Sequence, residues 1–181
     1  MRIISGTCKG RKLFSPEGTR LRPTGDKVKG AVFSMIRDYL ENSTVLDLFA
    51  GTGNLGLEAL SRGATKCYFC DNSPDSIRLL KKNINLCAMS AKSEIIFGGF
   101  DKALSSVAER LDLIFLDPPY DKHLYLTSLE LIRDTGALER NGIVVVEYQA
   151  DSVMPDFIEG FIRLRERHYG RTRIALLSPT Y

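Results

Sequence analysis

The sequence has no run of about 18 apolar residues, the length a membrane-crossing helix needs, so no transmembrane segment is expected. Its first residues, MRIISGTCKGRKLF, lack the long apolar core and cleavage pattern of a secretory signal, which points to a cytoplasmic protein. Cysteine is sparse, four in 181 residues, and a disulfide framework is not expected in a chain of this size without an export signal. Cys67 and Cys70 do spell C-x-x-C, but no second ligand pair follows. The surrounding KCYFCD reads as a strand, on which residues three apart point to opposite faces, so buried thiols and no metal site are expected. Internal repeats and low-complexity segments are also missing. What remains is one domain's length of chain, 44% hydrophobic and 26% charged, able to bury a substantial core.

Strong net charge is lacking too, the formal balance being +3, but the distribution is uneven. Residues 1–42 hold nine Lys/Arg against four Asp/Glu, and the rest of the chain is slightly acidic. A second basic group stands in RLRERHYGRTR, where plain alternation along a strand would put Arg163, Arg165 and Arg167 on one face. Such surfaces suit an anionic partner; on charge alone, a merely solvated basic surface explains them equally well.

Residues 2–5 and 11–14 read as a short hairpin around GTCKG, followed by the loop SPEGTRLRPTG. Asp26 is placed to cap a helix running to about Leu40, with Val28, Val32, Met35, Ile36 and Leu40 as its apolar stripe. Strands near 44–49, 66–70, 93–97, 112–116 and 142–147 then alternate with helices near 55–62, 74–86, 101–109 and 124–133. Two more strands, near 161–168 and 172–177, form an antiparallel pair turning at Gly170. Near-continuous apolar strands such as LDLIFL and GIVVVE imply an α/β fold with a buried, mainly parallel sheet. Residues 1–42 are expected to extend a domain spanning 43–181, the two making one compact unit. Ligands of such sheets sit at the carboxyl ends of the strands.

At the first strand end, VLDLFAGTGNLGLEALSRGA sets Gly51, Gly53 and Gly56 between a strand and a helix. The glycines allow close backbone approach to a ligand. Asp71, 20 residues after Gly51, ends the next strand where a ribose diol would meet it. Asp47 stands four residues before Gly51, where it would repel a dinucleotide pyrophosphate but suit an ammonium group. That spacing favours S-adenosyl-L-methionine over a nicotinamide. The expected cofactor contacts are Asp47, Phe49, Ala50, Gly51, Thr52 and Gly53, then Asp71, Asn72 and Ser73. Phe100 and Asp101 stand where adenine would lie, although Asp101 serves equally well as the cap of the next helix.

The fourth strand end reads Asp117-Pro118-Pro119-Tyr120, with Asp117 also beside the cofactor. Two prolines hold the backbone in one extended shape, leaving the Pro118 carbonyl and the Asp117 carboxylate as fixed acceptors. Two fixed acceptors suit both hydrogens of a planar amine, and Tyr120 offers a face for stacking a base. The lone pair of a nucleobase amine is delocalised into its ring. Pulling on both hydrogens favours a pyramidal nitrogen able to attack an in-line methyl group, which makes catalysis chiefly positioning. Asp117, Pro118, Pro119 and Tyr120 are therefore the candidate catalytic residues. A paired base would have to leave its stack to arrive there.

The chain resembles, almost end to end, the RsmD-type family of bacterial small-subunit ribosomal RNA guanine-N2 methyltransferases. The resemblance rests on RIISG…KGRKL, RPTGDKVKGAVFSMI, VLDLFAGTGNLGLEALSRGA, LIFLDPPY and YGRTRIALL. It implies a class I S-adenosylmethionine-dependent methyltransferase fold, Rossmann-like, with seven strands, the last antiparallel, and an N-terminal hairpin. It further implies methylation of a guanine exocyclic amine in 16S rRNA of an assembling or assembled small ribosomal subunit. Lys9, Arg11, Lys12, Arg20, Arg22 and Thr24 fall in the segment expected to meet RNA. Two positions depart: Phe49 stands where methyltransferase loops in general carry glycine, and Ser34 where the family commonly has Asn. The motif DPPY alone leaves DNA adenine, DNA cytosine and protein amides open as substrates, though the chain has no obvious target-recognition domain. A non-catalytic RNA- or nucleotide-binding protein on the same fold is a further alternative. A monomer is expected.

Overall fold

The computed structural model describes residues 1–16, 25–119, 124–152 and 154–180. The parallel part of the chain alternates as the apolar pattern requires: β1 (Thr44–Asp47), α2 (Asn54–Ser61), β2 (Lys66–Asp71), α3 (Pro74–Leu86), β3 (Ser93–Phe97), α4 (Phe100–Ser106), β4 (Leu111–Leu116), α5 (Leu124–Thr135) and β5 (Leu138–Gln149). A helix α1 (Asp26–Met35) precedes them, and β6 (Phe161–Tyr169) and β7 (Thr172–Pro179) follow. Among the described residues these strands make one seven-stranded sheet in the order β3-β2-β1-β4-β5-β7-β6, with β7 antiparallel to both neighbours. The chain therefore reverses direction across the sheet between β1 and β4, the switch point at which such sheets open a crevice.

Strands buried on both faces explain the unbroken apolar runs. Val45, Leu113, Phe115, Ile143 and Val145 face one core, shared with α1, α2 and α3. Leu46, Leu116, Val144 and Val146 face the other, shared with α4 and α5. Gly56 lets α2 lie close on β2, since a Cβ there would stand 2.3 Å from Phe69 Cε1.

The N-terminal hairpin contracts to a single antiparallel bridge, Arg2 with Lys12. The Ile3, Gly10 and Leu13 N–H groups still donate across it, while three others turn to side chains of α2: those of Ile4 and Ser5 donate to Glu58, and that of Cys8 to Ser61 Oγ. Asp26 does not cap α1. The N-cap is Gly25, and Asp26 lies in the first turn, 2.7 Å from the Arg2 guanidinium. The helix stops at Met35, five residues short of Leu40, because Ile36 leaves the helical region and one 3-10 turn, Arg37–Tyr39, follows.

Arg163, Arg165 and Arg167 do not share a face. Arg163 pairs with Leu177 and Arg165 with Leu176, so a bulge between them absorbs one residue and reverses the alternation. Arg163 ion-pairs with Glu166 on one side, and Arg165 and Arg167, opposite Leu176 and Ile174, point to the other.

Candidate functional site

The glycine loop forms because three hydrogen bonds shape it from below and beside. The Ala50 N–H donates to the Cys70 carbonyl, the Gly51 N–H to Asp71 Oδ2 and the Gly53 N–H to the Ala50 carbonyl. Gly51 (φ 53°) and Gly53 (φ 83°) both take the left-handed conformation that favours glycine. Beyond the Gly51 Cα there is open space, so this backbone is accessible to a ligand. Gly53 caps α2, and its missing Cβ leaves room for Leu80 of α3.

Asp71 ends β2 in front of this loop. Its second oxygen accepts from the Ser73 N–H, and Ser73 in turn caps α3 by accepting from the Ser76 N–H. Each Asp71 oxygen keeps one lone-pair direction free for a hydroxyl, as a carboxylate can accept more than two hydrogen bonds. Asn72 is exposed between them.

Asp47 ends β1. It is only 2% exposed, lies beneath the loop, and accepts the Gly56 N–H at 2.9 Å. Burial pushes its carboxyl up to about 7, against the pull of the Gly56 hydrogen bond, and Asp71 adds to the rise. A cation arriving above the loop would favour its ionised form.

On the α4 side, the Phe49 and Phe100 rings meet at 6.0 Å and build a half-buried apolar wall. Asp101 is exposed in the first turn of α4, whose N-cap is Gly99, so the capping alternative for Asp101 does not hold. Asp117 and Pro118 leave β4 half-buried and Pro119 is exposed. Asp117 is hemmed in by protein despite its partial access. Burial, then Glu147, then Asp47 hold its carboxyl well above the usual carboxylate range. The fold thus brings Asp47, the loop, Asp71, Phe100, Asp101 and Asp117 to the carboxyl ends of β1, β2, β3 and β4. Tyr120, Arg20, Arg22 and Thr24 lie outside the described residues.

Lys9, Arg11 and Lys12 are exposed on the N-terminal segment, which is anchored beside the loop by side chains that carry no recognised motif. Lys29 is fully buried; its ammonium bonds the Arg2 carbonyl, Asn54 Oδ1 and Glu58, the last at 3.0 Å. Burial pushes Lys29 below the usual lysine range while Glu58 opposes that shift. Asn83 of α3 exchanges two hydrogen bonds with Phe14 and donates a third to the Thr52 carbonyl of the glycine loop. The available signal was positional: Lys29 stands three and four residues before Val32 and Phe33, and Asn83 three after Leu80, so both are polar residues on apolar stripes. Cys67 and Cys70 pack in opposite cores, and all four cysteines are buried thiols. No helix among the described residues is long and apolar enough to cross a membrane.

The family model described as Conserved hypothetical protein 95 matches residues 1–178. YlbH of Bacillus subtilis is 38% identical over 179 residues, covering 97% of each chain. The Ribosomal RNA small subunit methyltransferase D of Haemophilus influenzae is 37% identical over 154 residues, 83% of this chain and 80% of its own. Among solved structures, yhhF of Escherichia coli superposes with a TM-score of 0.88 at 29% identity, covering 99% of this chain and 97% of that one.

Proposed function

This chain belongs to the RsmD-type family that the Conserved hypothetical protein 95 model describes, and we propose that it methylates the N2 amine of one guanine in 16S rRNA, using S-adenosyl-L-methionine. The observation that carries the proposal is the convergence of Asp117-Pro118 with the glycine loop and Asp71 at the carboxyl ends of the adjacent strands β4, β1 and β2. An acceptor pair for an amine stands next to a cradle for a nucleoside. The naming of the Haemophilus relative supports the choice of small-subunit rRNA.

The residues fit the cofactor. Asp71 accepts from the ribose hydroxyls with the lone pairs that Gly51 and Ser73 leave over. Phe49 and Phe100 pack against the adenine, and Asp101 accepts from its amine. Asp47, ionised once a cation is above it, neutralises the methionine ammonium. When bound, S-adenosylmethionine supplies an electrophilic methyl group on a sulfonium centre. Asp117 and the Pro118 carbonyl then orient the guanine amine, and Tyr120 stacks on the base. Because burial favours the protonated Asp117, approach of the amine donors shifts it toward the ionised form, in which both oxygens only accept. Lys9, Arg11, Lys12, Arg20, Arg22 and Thr24 contact the RNA backbone around the extruded base, and the enzyme works as a monomer on a folded ribosomal particle.

The test is incubation with labelled S-adenosylmethionine and small ribosomal subunits from cells lacking the activity, followed by mass spectrometry of the rRNA nucleosides. A new N2-methylguanosine is the expected product. Cofactor binding without any methylated nucleoside would overturn the proposal and turn attention to DNA and protein amides.

A further inference from the structure

The end of β5 delivers a side chain to the site that no motif announces. Leu116 of β4 pairs with Val146 of β5 in parallel register, so the residues that follow, Asp117 and Glu147, emerge side by side. Phe115 and Val145, two residues earlier, both pack in the core beneath α1, α2 and α3. Alternation returns Asp117 and Glu147 to that same face of the sheet. From the other side, Glu147 pairs with Ile174 of β7, another member of that core, which fixes its direction independently. It is half-buried. The electrostatics agree: after burial itself, Glu147 is the group that most raises the Asp117 carboxyl, ahead of Asp47. Among the described residues no group of three or more His, Cys, Asp or Glu is placed to hold a metal ion.

Resting on the rRNA guanine reading above, we infer that Glu147 is a specificity-determining residue whose carboxylate accepts the guanine N1–H while Asp117 and the Pro118 carbonyl hold the adjacent N2 amine. An ionised carboxylate only accepts hydrogen bonds. Guanine is the base that sets a ring N–H beside its exocyclic amine, and so presents donors in a row. Adenine and cytosine set a ring-nitrogen lone pair beside theirs, which a carboxylate at this place repels. Asp117-Pro118 alone treats all three amines alike. Glu147, one strand over and level with Asp117, is where the neighbouring ring atom can be read.

The experiment uses small subunits reconstituted with 16S rRNA carrying either guanine or 2-aminopurine at the methylated position. 2-Aminopurine keeps the amine and replaces N1–H by a lone pair. The wild-type enzyme is expected to prefer guanine by at least about 30-fold, the scale of a hydrogen bond to a charged group. In E147Q, whose amide can donate to a ring nitrogen as readily as accept from N1–H, the preference for guanine drops close to unity. Cofactor affinity by calorimetry stays unchanged. The inference is overturned if the wild type methylates both bases equally well, an outcome that needs no variant at all. It is also overturned if E147Q keeps the wild-type preference, or if folded, cofactor-binding E147Q is inactive on both bases, which would mark a general need for charge. Should E147Q not fold, E147D, which keeps the carboxylate, is expected to retain the preference for guanine, and its loss would overturn the inference. Absence of N2-methylguanosine from wild-type reactions would bring down both readings, whereas these ratios fail or hold with that product present.

Discussion

Asp117 and Asp47 hold carboxyl groups under pressure from their surroundings, and each shift has a measurable consequence. For Asp117, replacement by Ala removes one of the two proposed amine acceptors. Methyl transfer is expected to fall by about 100- to 1,000-fold, the usual loss for one preorganised hydrogen-bonding group, with cofactor affinity largely spared. Single-turnover kinetics beside calorimetric titration separates the two; near wild-type turnover would remove Asp117 from the chemistry. For Asp47, the folded protein retains a proton up to about pH 7 that an unfolded carboxyl releases near 3.8. The native state then binds more protons between those values, so this group makes stability fall as pH rises through that window, by on the order of 4 kcal/mol in total. Asp47→Asn keeps an acceptor for Gly56 and cannot ionise. Its melting temperature is expected to lose this contribution to the decline and to exceed the wild type above pH 7, while cofactor affinity drops. Parallel melting curves of the two proteins from pH 4 to 8 would contradict the assignment.

At the scale of elements, α2 is the post to which the N-terminal segment is tied. Glu58, fully buried, accepts from the Ile4 and Ser5 N–H groups and pairs with Lys29 and Arg62. Glu58→Gln leaves the buried Lys29 ammonium without its counter-charge, and breaking a buried pair in this way costs about 3–5 kcal/mol. Chemical denaturation is the check. A loss well under 1 kcal/mol would mean that water or another acceptor reaches Lys29. The same tie explains why residues 1–14 were only partly legible beforehand. Their apolar positions, Ile3 and Leu13, do enter the core as a hairpin would place them. The Ser5 and Ile4 N–H groups, however, find their acceptor, Glu58, 53 and 54 residues away on α2, and no local pattern records a contact of that range. The bulge in β6 has the same character: alternation predicted one basic face, and the register of β7 divided it.

For the whole molecule, the asymmetry of charge becomes a statement about orientation. Lys9, Arg11 and Lys12 are exposed on a segment that Asn83 and Glu58 hold beside the glycine loop, so the basic surface adjoins the proposed chemistry. Replacing Arg11 and Lys12 together by Ala is expected to weaken RNA binding. It should also make the slope of log affinity against log salt shallower by about 1.5 to 2, one released counterion for each lost phosphate contact. Filter binding across a salt series measures this directly. An unchanged slope would place the RNA surface elsewhere, with Arg165 and Arg167 on β6 the next pair to replace.

What the sequence alone determined is everything set by local pattern. Apolar strands alternating with amphipathic helices specify the doubly covered sheet, and glycines between a strand and a helix specify the loop. An acid followed by two prolines specifies a rigid strand end. Segment-long similarity was sufficient for the family. Tertiary structure decided the rest, because the quantities involved are properties of neighbours distant in the chain. Asp47 is shifted by the protein packed over it, not by its own spacing to Gly51. Lys29 looks like a surface lysine until α2 covers it. Glu147 reads as the polar end of a core strand, and only the pairing of Leu116 with Val146 sets it beside Asp117. Register between strands arises from packing across the whole sheet, so a residue's place along its own strand can be read in advance while its partner one strand over cannot.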